Sequence, residues 1–469
     1  MIDQKHLLYL NGLDATTGRP LIDPISYDEL TRRVLNFFTP QQRREESETY
    51  SHERLAPFDE YELDDPARAG WGLLVHIDEA DAMRELLAPL IAHRNGSVLL
   101  YRDEPVRQWK ETYHADAINP DRFPYYILIA GSPAKVPYEL EYSLATLQAV
   151  GRIDFEDPAD YVRYAQGIVE RETRQTEAPG KRIIFFAPRH PNDYPTSQTS
   201  QYLIPPLLEQ LPQSVPGLTF SSIIGDDATK TNLLAALTPD SSGQTPALLF
   251  SAGHGATFSA SDPNQRALQG SFICQDYQMP LTFQQRRGIV CGYDVAEGFC
   301  LPGGIHFIFA CYGAGTRAHS DFIRYMPQGR GRQRLEAAQG VQDFVAYLPK
   351  ALLAHPRSGA LAVVGHVDPA WVHAFRSTVT RERRIDPFGF TLARLLRGKP
   401  VGFALMSFKQ KYTDISTDLL NLIERNQKTG QMPDPAEFMD LWICRNDAQN
   451  YVIIGDPAVH LSFDLATSI

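Results

Sequence analysis

The sequence predicts an α/β protein in which two subdomains lie side by side, each built on a mostly parallel β-sheet. Short apolar runs rich in β-branched and aromatic residues alternate with segments of helical periodicity, as in parallel strands joined by helices. The alternation pauses at Pro179-Gly180 and then starts again. The 469 residues suffice for two or three domains. We therefore predict a polar N-terminal arm at 1–66, a first α/β subdomain at 67–178 and a second at 179–469.

The first subdomain contains four predicted strands and two predicted helices. The strands are expected at 71–77, 97–101, 124–131 and 151–155. One helix is expected at 78–93. The other is expected at 157–173, where Asp157 can cap the first turn and Pro158 suits the first helical position. Residues 1–66 are polar and punctuated by proline, so we expect an irregular, solvated arm with one or two short helices.

The second subdomain repeats the alternation with more elements. Its strands are predicted at 181–187, 218–224, 246–254, 304–311, 359–365 and 451–455. Its helices are predicted at 198–211, 229–237, 343–354, 386–397 and from 402 onward. The segment between the strands that end in His254 and Cys311 is irregular and is expected to contain a hairpin. An arginine-rich loop is expected after Cys311.

Composition excludes several classes of protein. The net charge of −11 without a long basic face argues against a nucleic-acid binder. The N-terminus resembles neither a signal peptide nor a membrane span, so we expect a cytoplasmic protein without a membrane partner. The five cysteines form no CxxC pair, which argues against a disulfide framework or a zinc knuckle. No set of side chains has the spacing of metal ligands, so neither a metal nor a cofactor is predicted.

Two of the predicted buried strands end in residues that can act together. Cys311 ends one apolar run, and His254 ends another 57 residues earlier. Since the carboxyl ends of parallel strands meet at one edge of a sheet, a nucleophile and its base can meet there. The N–H groups of Gly255 and Cys311 are the candidate oxyanion donors. Each residue alone is more typical of turn or core packing, and only the pair favours catalysis.

Five short motifs in order extend this hypothesis to most of the chain. They are the strand at 126–131 with 135–137 and 151–152, the histidine block at 250–255, the nucleophile block at 309–311, the strand and loop at 359–371, and the closing 455–457. In this order they resemble the caspase-like clan of cysteine peptidases, and most closely the gingipain family. The resemblance implies a caspase/gingipain-like three-layer fold. It also implies a cysteine endopeptidase in which Cys311 is the nucleophile and His254 the base or acid.

The resemblance also predicts a specificity pocket. Trp371 would form a wall of the primary pocket, with Val367 and Asp368 beside it. Phe309 stands where caspases carry glutamine, which argues against a preference for aspartate. Glu139 and Glu141 are candidates to orient His254 or to neutralise a basic substrate residue; alternatively, both are surface charges. We therefore expect a basic residue before the scissile bond.

Regulation is the last expectation from the sequence. The segment 317–334 holds five arginines against one acid, so autocleavage is expected near Arg330, Arg332 and Arg334. A solvated or phosphate-contacting loop is the alternative. The family resemblance implies a regulated intracellular enzyme serving bacterial defence, with a protein substrate and an activating partner or regulatory protease.

Two other functions compete with the endopeptidase. One is a catalytically idle caspase-like scaffold that binds a partner peptide in the same cleft. The other is a nucleotide-binding α/β protein, which is disfavoured because the chain lacks both GxxxxGK[ST] and GxGxxG at a strand–helix turn.

Overall fold

A ten-stranded sheet organises the molecule. The computed structural model of the chain describes residues 7–8, 12–37, 62–174, 180–241, 243–279, 286–295, 298–326, 328–355, 359–377 and 379–463. The strand order in the large sheet is β5-β4-β6-β7-β18-β17-β14-β10-β8-β9. Of the linker predicted at 177–180, residues 177–179 lie outside the described residues, as do 38–61 of the predicted arm, and Gly180 begins β8.

The strands are short, and most of those in the large sheet were predicted. Their bounds are β1 Leu7–Leu8, β2 Gly12–Asp14, β3 Ile25–Ser26, β4 Trp71–His76, β5 Ser97–Tyr101, β6 Tyr126–Ala130, β7 Ala149–Ile153, β8 Gly180–Ala187, β9 Thr219–Ile224, β10 Pro246–Ala252, β11 Gly255–Thr257, β12 Phe272–Ile273, β13 Ile289–Val290, β14 Ile305–Phe309, β15 Gly315–Thr316, β16 Phe344–Val345, β17 Ala362–His366 and β18 Tyr451–Gly455. The antiparallel pair β12–β13 is the hairpin expected between His254 and Cys311.

The helices connect these strands. Their bounds are α1 Tyr27–Phe37, α2 Pro66–Ala69, α3 Ala80–Leu86, α4 Ala88–His93, α5 Val106–Tyr113, α6 Tyr138–Ala145, α7 Pro158–Arg174, α8 Tyr194–Gln198, α9 Ile204–Ser214, α10 Lys230–Leu237, α11 Gln265–Leu268, α12 Asp321–Tyr325, α13 Arg330–Ala338, α14 Tyr347–Leu353, α15 Asp386–Leu396, α16 Val401–Ala404, α17 Met406–Thr429 and α18 Pro435–Gln449. None of the described helices is both long and apolar enough to cross a membrane.

The direction of the strands divides the large sheet into two halves. Within each half all neighbouring strands are parallel, and only the central pair β17–β18 is antiparallel. Every residue of β4, β6, β7, β10, β14, β17 and β18 is buried, so both faces of the sheet are covered. The predicted α/β class with a mostly parallel sheet is confirmed. The sheet itself is continuous across the predicted subdomain boundary, because the C-terminal β18 pairs with both β7 and β17.

The N-terminal arm is more ordered than its composition suggested. Strand β2 pairs in parallel with β11, placing Gly12 beside Gly255, and completes a four-stranded sheet with β12 and β13. Helix α1 packs against α12 and α18. Leu13, Tyr27 and Leu30 are buried in these contacts. The expectation of a solvated arm was therefore wrong for these residues, because their few apolar side chains find partners far away in the sequence.

The segment after Cys311 also differs from the prediction. It contains the helices α12 and α13 where a loop was expected. Ser320 caps α12 by accepting a hydrogen bond from the N–H of Phe322. Arg332 and Glu336 form an ion pair at helical spacing with an N···O distance of 2.7 Å. Arg330, Arg332 and Arg334 thus belong to the helix α13 and not to a loop.

Candidate active site

Strand register brings His254 and Cys311 together. β10 and β14 are parallel neighbours, with Ala252 paired to Phe309. The N–H of Gly253 continues the ladder by donating to the carbonyl of Phe309 at 3.0 Å. His254 and Cys311 each stand two residues beyond the paired strand ends. They therefore lie side by side at the carboxyl edge of the sheet.

Gly255 lets the two strand ends approach closely. A Cβ placed on Gly255 would lie 2.0 Å from the carbonyl oxygen of Cys311 and 3.3 Å from its nitrogen. No side chain can occupy that space without moving the backbone of Cys311. The backbone of Gly255, one of the two predicted oxyanion donors, thus packs directly on the backbone of Cys311, the other.

A strained turn follows the cysteine. Tyr312 adopts a φ of 59°, a left-handed conformation that is costly for a large side chain. Its hydroxyl accepts a hydrogen bond from the amide of Gln339 at 3.0 Å, and its N–H donates to the carbonyl of Asp368 at 3.3 Å. These contacts hold the chain in a sharp turn directly after Cys311.

The thiol of Cys311 is buried and neutral in this conformation. Burial raises its pKa above the ordinary range; the N–H of Ala370 opposes this, donating to the sulfur at 3.2 Å. Asp368 and Asp447 raise the pKa further. Because the thiolate is the reactive species, Cys311 needs a proton acceptor or a more open site before it can attack.

Asp193 supplies the carboxylate beside the histidine. Both of its oxygens lie 3.0 Å from Nε2 of His254. Burial alone would raise the pKa of Asp193, but His254 and the hydrogen bonds from Thr196 outweigh it and hold this pKa well below the usual range. The ionised acid accepts the Nε2 hydrogen, while the buried Nδ1 has no partner among the described residues. Nδ1 is then the free acceptor of His254.

The sequence analysis missed Asp193, although a signal was present. Strand β8 had been predicted, and Asp193 follows it at the same sheet edge that carries His254 and Cys311. Asp193 also caps α8, accepting from the N–H of Thr196 at 2.9 Å, with Pro195 in the first turn. An aspartate in the loop after a neighbouring parallel strand was therefore a candidate on position alone.

Glu139 and Glu141 lie elsewhere. Glu141 is buried and accepts from the guanidinium of Arg152 at 2.8 Å, so neither the surface-charge nor the His254-orienting interpretation holds for it. Glu139 is largely exposed and lies 3.6 Å from Arg317. The carboxylate that meets His254 is Asp193, which corrects the assignment of that role to either glutamate.

The residues predicted to form the specificity pocket are gathered near Cys311 but covered. Val367, Asp368 and Trp371 are all at most 1% exposed. The ring of Trp371 packs on Phe322 of α12 with centroids 4.8 Å apart, and its backbone N–H donates to Asp447 at 3.1 Å. Helix α12 therefore closes the predicted pocket wall from outside.

A cleft opens beside this cover. It has a volume of about 490 Å³ and is lined in part by His319, Ser320, Asp321 and Glu336. Ser320 donates to Asp368 at 2.9 Å, linking the buried carboxyl to the cleft. The other oxygen of Asp368 has no hydrogen-bond partner among the described residues. The cleft thus carries the carboxylates of Asp321 and Glu336 at its rim and the buried carboxyl of Asp368 at its base.

Asp368 should make stability depend on pH. Burial raises its pKa to about 8, although Arg317 opposes the shift. The unfolded chain releases this proton near pH 4, so the unfolded state becomes relatively more stable as pH rises from about 4 to about 8. Asp368→Asn lacks this proton. Its melting temperature relative to wild type is therefore expected to rise across that interval in thermal unfolding experiments. A pH-independent difference would contradict the assignment; Asp447, which has a similarly raised pKa, is common to both proteins.

Comparisons with known proteins add little to this geometry. No family model matches the chain, and no curated protein matches it. A solved structure titled "Structure of Protease" aligns with a TM-score of 0.48 and 9% sequence identity, covering 84% of this chain and 78% of the other. A TM-score below 0.5 does not establish a common fold. A function must therefore be inferred from the site that contains Cys311, His254 and Asp193, and not from these comparisons.

Proposed function

We propose that this chain is a cysteine endopeptidase that cleaves protein substrates through Cys311 and His254. The observation that carries the proposal is the register that sets both residues at one sheet edge, with Asp193 on Nε2 of the histidine. A thiol, an imidazole with one free nitrogen and an orienting carboxylate are the parts of a nucleophile–base system. The described residues contain no cluster suited to a metal ion.

The chemistry follows from these positions. Nδ1 of His254 accepts the proton of Cys311, and the thiolate attacks the peptide carbonyl. The N–H groups of Gly255 and Cys311 are the proposed donors to the oxyanion. As the C–N bond breaks, His254 returns the proton to the leaving amine. Water then hydrolyses the thioester with His254 as base, which releases the acid product and restores the thiol.

The preference for a basic residue before the scissile bond remains part of the proposal. Support comes from the carboxylates of Asp321 and Glu336, which line the cleft and pair with Arg317 and Arg332 at 3.0 and 2.7 Å. Glu139 is a further exposed acid, and it lies 3.6 Å from Arg317. Assignment to the caspase-like clan, a cytoplasmic role in bacterial defence and an activating partner or protease also remain proposals.

The buried site suggests that the enzyme requires activation. Cys311 is fully buried, and α12 covers Trp371. Cleavage between α12 and α13 would release this cover, and Arg330 is exposed after the exposed Gly329, whereas Arg332 is half-buried. We expect wild type to be nicked near Arg330 during incubation, and Cys311→Ala to stay intact on a denaturing gel. Equal fragments in both would point to a contaminating protease.

Covalent labelling tests the function directly. Wild type that has been nicked near Arg330 should react with a peptidyl acyloxymethyl ketone carrying arginine at the reactive end, and mass spectrometry should place the adduct on Cys311. Cys300→Ser is the matched control, because Cys300 is partly exposed and lies outside the site. It should label like wild type, while Cys311→Ala should not. Labelling by the aspartyl analogue in place of the arginyl one would contradict the specificity.

The idle scaffold is the second candidate. The full burial of Cys311 and its raised pKa favour it, since both disfavour attack. The same experiment separates the two functions. A chain that binds the peptide but never forms the adduct, even after limited proteolysis between α12 and α13, would be a scaffold.

A further inference from the structure

A second histidine lies against His254. His190 follows β8 on the same loop as Asp193, and only 5% of the residue is exposed. Its ring is parallel to that of His254 within 9°, with centroids 5.8 Å apart. Tyr277 also contacts the His190 ring, edge to face, with centroids 4.8 Å apart. The imidazole of His190 thus packs against both His254 and Tyr277.

The nitrogens of His190 do not explain its presence. Both are buried and have no hydrogen-bond partner among the described residues. Its backbone is anchored separately, since the N–H donates to the hydroxyl of Thr196 at 3.1 Å. Thr196 also donates from that hydroxyl to Asp193 at 2.6 Å. One hydroxyl therefore ties the backbone of His190 to the carboxylate that holds His254.

The charges around His190 keep it from competing for that carboxylate. Asp193 favours its protonated form, but burial and the neighbouring His254 prevail and lower its pKa to about 4. Tyr277 is a further titratable side chain in contact with the His190 ring, and Arg189 precedes His190 in the same loop. A neutral ring at this position presents a flat face to His254 and places no charge beside Asp193.

The position of the His190 ring beside a cleft indicates its role. His190 also lines a cleft of about 580 Å³ together with Asn192, Asp193 and Asp226. Without a flat ring in this place, water from the cleft would reach the face of His254 that His190 covers and hydrate the hydrogen bond between His254 and Asp193. The imidazole of His254 would then sample other orientations, and a misplaced base lowers the rate steeply.

We propose that His190 is a positioning residue, whose ring stacks on His254 and holds it in the orientation in which Nε2 meets Asp193 and Nδ1 stays free. The inference rests on the proposed endopeptidase function. It assigns His190 no proton transfer and no contact with substrate. The shape of the ring, and not its nitrogens, is what the site requires.

Three substitutions separate ring shape from nitrogen chemistry. His190→Phe retains a flat ring and should keep kcat within about threefold of wild type. His190→Leu and His190→Ala should lower kcat by about 10- to 100-fold with little change in KM, because the base is misplaced but the substrate pocket is untouched. Added imidazole should partly restore His190→Ala by filling the space that opens on the cleft. Equal losses in the phenylalanine and leucine variants would overturn the proposal, as would full activity in the leucine variant.

A spectroscopic measurement makes the inference independent of turnover. In protein labelled with ¹⁵N-histidine, the His254 signals, assigned with a His254→Gln variant, should report a single tautomer with the hydrogen on Nε2 in wild type and His190→Phe. A mixture of tautomers is expected in His190→Leu. An unchanged tautomer in the leucine variant would refute the positioning role. If the chain lacks peptidase activity but the tautomer shifts as expected, the proposed function fails while the stacking role stands.

Discussion

Asp193→Asn is expected to lower kcat/KM for a fluorogenic peptide by about 10³- to 10⁴-fold while leaving the fold intact. Asparagine caps a helix as well as aspartate does, so α8 should still begin at Tyr194. The amide, however, can turn its NH₂ group toward Nε2 of His254, which favours the tautomer with the hydrogen on Nδ1. That tautomer cannot accept the proton of Cys311. The rate of alkylation of Cys311 should therefore fall in parallel.

A second N-cap serves as the control for Asp193→Asn. Asp434 caps α18 and accepts from the N–H of Ala436 at 2.9 Å, as Asp193 does at α8. Asp434→Asn should therefore match wild type in kcat/KM and in melting temperature. A loss below tenfold in Asp193→Asn, with both variants folded, would show that the carboxylate does not orient the base.

Gly255→Ala is expected to be nearly as damaging, for a steric reason. The new Cβ would lie 2.0 Å from the carbonyl oxygen of Cys311, so the strand end must move. That shift misplaces the nucleophile and both proposed oxyanion donors, which predicts a loss of about 10²- to 10³-fold in kcat. The forced packing should also cost about 1–3 kcal/mol of unfolding free energy, measured by denaturant titration.

The matched control for Gly255→Ala is Gly167→Ala. Gly167 lies within α7, and a Cβ there would meet no atom within 4 Å. This substitution should leave kcat unchanged and raise stability by about 0.5–1 kcal/mol, since alanine favours a helix over glycine. Wild-type activity in Gly255→Ala would mean that the backbone contact with Cys311 is unimportant.

Local patterns predicted the large sheet well. The runs that became β10 and β14 are apolar except for Ser251 and His306, and both strands are buried over their full length. A strand covered on both faces has no room for polar alternation, so its composition alone identifies it. The same logic placed His254 and Cys311 at strand ends before any contact was known.

Contacts between distant segments were not predictable in this way. Strand β2 is only three residues long and joins β11 from the far end of the chain, so no periodicity marks it. The arginine content of the segment after Cys311 predicted a solvated loop, whereas the structure contains the helices α12 and α13 there. Helical arginines at surface positions carry the same composition, and only the packing of Phe322 and Leu335 shows which face is buried.

The chain alone determined that this is an α/β protein with a cysteine and a histidine at neighbouring strand ends, because buried parallel strands have a local signature. Tertiary structure decided which acid serves the histidine. In the sequence, Glu139, Glu141 and Asp193 are all acidic residues, and no local pattern says which one contacts the histidine. In the structure, Glu141 is paired with Arg152, and of the three only Asp193 reaches Nε2 of His254. Tertiary structure also decided that Cys311 is fully buried, with the N–H of Ala370 donating to its sulfur. A charged group's partner and a thiol's exposure depend on how distant segments pack, and no local pattern encodes that.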